Sequence, residues 1–332
     1  TDFAELLGTM SLAISELSAG SHVYAVVFVL LTSLFSVLML CRPNESAVGT
    51  PAFRKFQRMF LVVYCIMFAG DWLQGPMMYA LYSNYGFSRR QCGMLFLSGY
   101  ASSMLLGTFC GMFADKYGRK RSCLMYAAIY IGSCVLKHFG HFYILLLGGV
   151  LSGISTSILW SSFEAWMVSE HRARGYDELW LANTFSLMTI SNFLVAIPSG
   201  LIADTAIWVS DGNPVAPYNV AIAVLACGIV LCVANWSENY GETDVQMTQN
   251  LLEALRSVFG DWKVLLLGIA QSVFEGAMYT FVFMWTPTMT QGGNSIPHGI
   301  VFSSFMVACG IGGCLFAFLL RWASEETIMP LV

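Results

Sequence analysis

Charge is scarce in this chain: only 11% of its residues are Asp, Glu, Lys or Arg, against roughly a quarter in soluble domains. That shortage excludes an ordinary water-soluble domain. The ten cysteines are scattered, most of them inside apolar runs (Cys65, Cys110, Cys134, Cys227, Cys232, Cys309, Cys314). They form neither a disulfide framework nor a metal-ligand spacing, so their expected role is small apolar packing. No nucleophile–base pair, metal cluster or phosphate-cradling glycine loop is recognisable, which leaves an enzyme without support, and no cofactor is expected. The glycines of Gly310–Gly313 fall inside an apolar run. Nucleic-acid binding lacks a basic, aromatic patch, and low-complexity segments are absent.

Hydrophobic side chains are what the chain has in excess, at 57%, with a mean hydropathy of +0.66. Nine runs stand out: 22–41, 59–83, 91–113, 122–140, 142–166, 180–203, 215–236, 263–287 and 299–322. About 20 apolar residues cross a hydrocarbon core of about 30 Å. Inside lipid each backbone polar group needs an internal partner, and runs of this length supply one as helices. The reading is an all-α integral membrane protein with the lipid bilayer as its main partner. A net charge of −4 says little about others, because insertion dominates.

Ten residues between the third and fourth runs, GMFADKYGRK from Gly111 to Lys120, fit the pattern G-x-x-x-D-[RK]-x-G-[RK]-[RK]. A tight turn bearing Asp115, Lys116, Gly118, Arg119, Lys120 and Arg121 between two spans resembles the loop joining helices 2 and 3 of major facilitator superfamily transporters. The resemblance numbers the rest: core helix 1 is the run 59–83, and the run 22–41 is an extra helix before the core. Placing this loop in the cytoplasm puts 13 of the 16 Lys and Arg on that side, with only Arg89, Arg90 and Lys137 opposite. The positive-inside rule gives the same orientation. Asp2, Glu5 and Glu16 precede the first run with no basic residue, so it reads as an anchored helix with an outside N-terminus rather than a signal peptide.

The expected organisation is an extracytoplasmic segment 1–21, an extra transmembrane helix 22–41, and an N-terminal six-helix bundle 53–236. A cytoplasmic linker 237–262 and an incomplete C-terminal bundle 263–332 with helices 7 and 8 follow. The resemblance implies twelve core helices, so eight of 12 read as a fragment; the first residue is Thr rather than Met. Within the linker, Leu251, Leu252, Leu255 and Val258 fall on one side of a possible surface helix from about Met247 to Phe259.

Intramembrane ionisable residues are the functional candidates, because each is costly at bilayer depth. Asp71 lies in core helix 1 with Gln74 at i+3, and Glu275 lies in core helix 7 with Gln271 at i−4. Gly111 follows the first acid by 40 residues and Gly313 the second by 38. Parallel repeats of this kind put the two acids at equivalent depths around one central cavity. Glu164 lies near the cytoplasmic end of core helix 4; Asn183 and Asn192 in core helix 5 either bind solute or bond a neighbouring helix. Burial raises carboxyl pKa values, so Asp71, Glu164 and Glu275 are either proton-coupling groups or structural acids. Small residues recur every fourth position at Gly99, Ser103, Gly107 and Gly111, and again at Gly149, Gly153, Ser157 and Ser161. Both stripes read as close helix-packing faces, and Glu164 is expected to continue the second toward the bundle interior.

By the superfamily resemblance, Glu170 would pair with Arg119 and Asp115 as a cytoplasmic latch, with Gly111 and Gly118 permitting close approach and Lys120 alongside. The alternative is a screened surface pair worth about 0–1 kcal/mol. Many proton-coupled members carry an arginine where this chain has Gly149, which puts that relay in doubt; Pro198 and Gly200 only hint at the antiporter-type motif. The strings Asp71-Trp-Leu-Gln-Gly-Pro76, Phe163-Glu-Ala-Trp166, Asn235-Trp-Ser-Glu-Asn-Tyr240, Trp285-Thr-Pro287 and Gly299-Ile-Val-Phe-Ser-Ser-Phe-Met306 are similar to those of the eukaryotic molybdate-anion transporter family. That likeness runs from about Phe53 to Trp322 and implies uptake of molybdate across the cell membrane. Three acids and no buried Lys or Arg sit awkwardly with a dianion. Protonated acids, neutral donors (Trp72, Gln74, Gln271, Trp285, helix N-termini) or a basic residue from helices 9–12 would resolve this. Lys137, His138 and His141 are expected at the outer mouth. A carrier for another oxyanion, a sugar or an organic cation, or a non-transporting membrane sensor on the same fold, stays open.

Overall fold

The computed structural model describes residues 22–41, 49–241, 256–290, 296–319 and 322, with Thr108 placed by its backbone. The expected segment 1–21, the loop with Arg42, the linker from 242 to 255 with its three leucines, Arg321 and the residues from 323 on lie outside the described residues. All regular structure among the described residues is helical. We label the helices α1 (His22–Leu40), α2 (Pro51–Trp72), α3 (Met78–Asn84), α4 (Arg89–Tyr117), α5 (Arg119–Leu136), α6 (Phe142–Ala173), α7 (Glu178–Val209), α8 (Ala216–Asn235), α9 (Trp262–Met289) and α10 (His298–Leu319). Seven spans among the described residues are long and apolar enough to cross a membrane, eight if α4, bent by 53° near Thr108, counts as one. The shorter α5 opens on Arg119-Lys-Arg, which keeps its first turn polar.

Local chemistry explains the helix starts. Thr50 Oγ1 accepts from Phe53 N ahead of Pro51 at the first helical position. Ser88 and Gln91 form a reciprocal capping box on α4, and Asp261 caps α9.

Core helix 1 is not the unbroken helix its hydropathy suggests. The α-helix stops at Trp72, a 3₁₀ turn covers Gly75–Met77, and α3 resumes at Met78. Pro76 has no N–H to give back to the preceding turn, and its ring crowds the carbonyl four residues earlier. Glycine before it adds to the break.

The helices gather into two units. One holds α1, α2, the 3₁₀ turn, α7, the start of α8 and α10; the other holds α3 to α6, the rest of α8 and α9. In the second unit the two small-residue stripes face each other. A Cβ on Gly153 would run into Gly99 O, and Ser102 Oγ donates to Val150 O at 3.0 Å. The hydroxyls of Ser103 and Ser157 meet at 2.7 Å. On the other side of α6, Ser133 Oγ donates to Gly148 O at 2.7 Å and Ser122 meets Ser162 at 2.9 Å, both buried. Aromatic contacts seat α9: Tyr100 on Tyr279 at 4.4 Å, and Phe283 against Tyr79 and Phe96 at 5.6 and 5.3 Å.

In the first unit, Gln57 Nε2 on α2 donates to Asn183 Oδ1 and Thr184 Oγ1 of α7 at 3.1 and 2.9 Å. Phe35 of α1 packs on Val307 and Ile311 of α10, so the extra helix is docked by apolar contact. Interhelical hydrogen bonds in lipid average only about 0.6 kcal/mol, so backbone proximity carries much of the cohesion. Gly153→Leu should therefore lower the thermal midpoint of the purified protein, at a cost of about 1–3 kcal/mol or more from overpacking, whereas Gly268→Ala, facing open space within α9, should cost little.

Candidate functional site

The break in core helix 1 sets up the first cluster. Trp72, the last residue of α2, donates Nε1–H to Asn192 Oδ1 of α7 at 2.7 Å. Phe302 of α10 lies against the Trp72 ring at 5.9 Å between centroids. Of the two readings for Asn192, its oxygen thus takes the neighbouring-helix role, while its NH2 group has no bond to another described residue. Gln74 is buried and turns its amide back to Gly70 O at 3.1 Å rather than to Asp71; its Oε1 is left without a partner. Asp71 is half-buried one residue before Trp72. The broken turn thus concentrates a carboxylate, an amide and an indole in one place.

The second unit holds the other candidates. Gln271 Nε2 donates to Glu275 Oε1 at 2.9 Å along α9, as their spacing implies. Glu275 is half-buried and sits one turn before Tyr279, while Trp285 is buried near the end of the helix. Glu164 does not turn into the α4–α6 seam; it is exposed.

Gly149 is buried in the seam, where an added Cβ would meet Ser98 Oγ and come within 3.1 Å of Leu95 O. There is no room for an arginine at that position. The expectation of no buried basic residue fails at Lys137. It is 1% exposed at the C-terminal end of α5, its Nζ donating to Tyr82 Oη and lying 4.8 Å from the Tyr82 ring centre. Tyr85 Oη donates to the Lys137 carbonyl at 2.7 Å. Two tyrosines three apart on α3 and its exit turn fold over the lysine, and burial raises the Tyr85 pKa. Spacing in those tyrosines was the available signal.

At the basic end the loop around Gly118 forms a denser cluster. Gly118 has φ +113°, and a Cβ there would sit 2.7 Å from Glu238 Oε1, so both backbone and space require glycine. Arg119 grips Asp115 through Nε and Nη2 at 2.8 and 2.7 Å and reaches Ala165 O at 3.2 Å. Gly111, by contrast, faces open space.

The expected partner of Arg119, Glu170, does not touch it. Glu170 is held by Arg174 at 2.8 Å, one turn on, and by Ser237 Oγ at 3.0 Å. Asn239 joins the two halves: its carbonyl accepts from Arg119 N at 2.9 Å, while its amide donates to Glu170 Oε2 at 3.4 Å and Trp166 O at 3.2 Å.

The segment Trp236–Gly241 is thus a strap across the loop. Trp236 stacks on Trp166 at 3.9 Å and 11°, and Trp166 Nε1 donates to Ser237 O. Glu238 accepts from Lys120 N and Arg121 N at 2.9 and 3.2 Å. It thereby supplies the cap that α5 lacks, since Gly118 has no side chain to give. Lys120 Nζ returns to Val233 O and Trp236 O at the end of α8, where a cation suits the helix dipole. The string Asn235–Tyr240 carried this information, but neither periodicity nor charge counting isolates it.

The helical packing and the loop cluster fit a fold of the major facilitator type. Residues 23–332 match the profile of a family described as sugar transporters with 12 TM segments, and the chain belongs to that family. Among its relatives, the molybdate-anion transporter of Xenopus tropicalis is 37% identical over 275 residues, covering 82% of this chain and 60% of that protein. The molybdate-anion transporter of Danio rerio is 34% identical over 304 residues, with 84% and 63% covered. The chain therefore spans about three-fifths of the length of these relatives. Among solved structures, the nucleoside transporter NupG superposes with TM-score 0.62 at 13% identity, over 80% of this chain and 67% of that one. A peptide transporter POT in complex with sulfate gives 0.56 at 12% identity, over 88% and 73%. At such identities the agreement concerns fold alone: a multi-pass membrane transporter fold.

Removing the strap's carboxylate exposes how much it holds. Glu238→Ala leaves two backbone N–H groups without their charged acceptor and should lower stability by about 1–3 kcal/mol. Thermal unfolding of the purified protein, read beside Tyr240→Ala as a nearby exposed control, measures it.

Proposed function

We propose that the protein is a secondary active transporter that takes up molybdate across the cell membrane by alternating access. The observation that carries this is the 37% identity to a molybdate-anion transporter along 82% of the chain. Asp71, Gln74 and Asn192 in one unit and Gln271, Glu275 and Trp285 in the other are the substrate or coupling groups, with Glu164 at the edge of α6. Protons are the proposed coupling ion, taken up by Asp71 and Glu275, which lie at corresponding places in the two repeats. In protonated form both carboxyls become hydrogen-bond donors, which removes their repulsion of a dianion.

At the cytoplasmic end, Asp115, Gly118, Arg119, Lys120 and Glu170 form the gate, with Asn239 and Glu238 linking its parts. Glu170 and Arg119 acting through Asn239 rather than directly supports a network that can rearrange between two states. The carboxylate-rich candidate set also favours a second reading, a carrier of organic cations.

Molybdenum accumulation in cells expressing the full-length protein tests the substrate. Uptake above control, lost in Asp71→Asn at equal surface expression, is the expected result. A well-expressed protein without uptake rejects molybdate, and competition by organic cations then tests the second reading. For coupling, Glu275→Gln should flatten the pH dependence of uptake; an unchanged pH profile in both Glu275→Gln and Asp71→Asn rules out these two acids as the proton sites.

A further inference from the structure

We propose that Asp204 is the clamp of an outer gate, closing the non-cytoplasmic ends of α7 and α10 against each other. The proposal rests on the alternating-access reading and on the orientation set by the basic loops. Helix α10 begins after Pro297, whose carbonyl accepts from Val301 N but whose side chain offers no acceptor for the first-turn N–H groups. Asp204 of α7 supplies both: Oδ1 accepts from Gly299 N at 2.8 Å and Oδ2 from Ile300 N at 2.9 Å. An anion there also faces the positive end of the helix dipole.

The carboxylate reaches that far because one turn earlier nothing separates the backbones. A Cβ on Gly299 would collide with Gly200 O, and one on Gly200 would lie 2.6 Å from Gly299 O. Ser303 Oγ closes the next turn on Ile197 O at 2.7 Å. The hydrogen bonds described for this seam join Ile197 and Asp204 of α7 to Gly299, Ile300 and Ser303 of α10. That is the end of α7 remote from Arg172 and Arg174. The grip of α7 on α2, through Gln57, sits at its opposite end.

Opening to the outside requires α10 to leave α7 at this seam, and the consequence reaches the candidate site. Phe302, between the gate residues and Ser303 on the same helical segment, rests on Trp72, whose N–H holds Asn192. Parting the clamp withdraws that ring from the broken turn of core helix 1. Asp204 is therefore a positioning residue: it touches no substrate, and sets how readily the site is uncovered.

The test is labelling of Ser303→Cys by a membrane-impermeant maleimide, applied outside intact cells expressing the full-length protein. The other cysteines are replaced except Cys123, which is fully buried at the cytoplasmic foot of α5 and reports general loosening in permeabilised cells. With Asp204 present, labelling should be slow. Asp204→Ala should speed it by about tenfold or more, the scale of losing two hydrogen bonds to a charged acceptor, with Cys123 unchanged. Asp204→Glu, which keeps a carboxylate, should stay nearer the parent. Gly299→Ala, wedging the same seam from the other helix, should mimic Asp204→Ala. Unchanged labelling in Asp204→Ala would overturn the clamp. So would a parallel rise at Cys123, which would mean a fold defect, or labelling possible only from the cytoplasmic side, which would reverse the orientation. The readout needs no substrate, so absence of molybdate uptake bears on the proposed function alone.

Discussion

Everything in this structure follows from a backbone that has no water to bond. Hydrocarbon forces the chain into helices, and helices surrounded by lipid gain little from burying one apolar face rather than another. What holds them is close approach. The pairs Gly99–Gly153 and Gly200–Gly299 bring backbones together where no side chain fits, and serine hydroxyls bond across the same seams. The two seams differ in one respect: serine hydroxyls bridge the first, whereas the second ends at a carboxylate on a helix terminus.

Helix ends recur as the places where distant segments of the chain are joined. Helices α5 and α10 are among those that lack a capping side chain of their own, because Gly118 precedes α5 and Pro297 precedes α10. Each receives a carboxylate from a distant part of the chain, Glu238 in one case and Asp204 in the other. A cap borrowed from another element is also a reversible link between elements. The bonds are strong enough to define a state and few enough to break. Lys120 at the end of α8 makes the complementary contact with carbonyls. The basic loop is thus tied to the strap from both of its charge signs.

The candidate residues in each unit are mainly carboxylates and amides, an unusual set for the anion proposed as substrate. The buried Lys137 does not repair this, since its ammonium is engaged with Tyr82. The broken turn of core helix 1 is more informative. It places Gln74 with an unpartnered amide oxygen beside Trp72 and Asn192, in the kind of discontinuous helix where transporters place their ligands.

Apolar run length made the helices legible, because crossing a bilayer imposes one length and one periodicity on any sequence. The small-residue stripes marked two close-packing faces for the same reason, though not that they meet each other, and the basic loops are charge counts that need no coordinates. The Gln271–Glu275 pair followed from helical spacing alone. Contacts between segments far apart in sequence were not legible. Glu170 has Arg119 within reach on paper, but Asn239 takes the position between them. Lys137 reads as a surface cation until Tyr82 and Tyr85 close over it. Asp204 is one acid near the end of a span until Gly200 and Gly299 let α10 come close enough to be capped. The sequence by itself determined a helical membrane protein, since run length and loop charge are local and periodic, and its Gly111–Lys120 loop carried the resemblance to the major facilitator type. Only the tertiary structure decided which carboxylate meets which helix end, because that choice depends on where two backbones can touch.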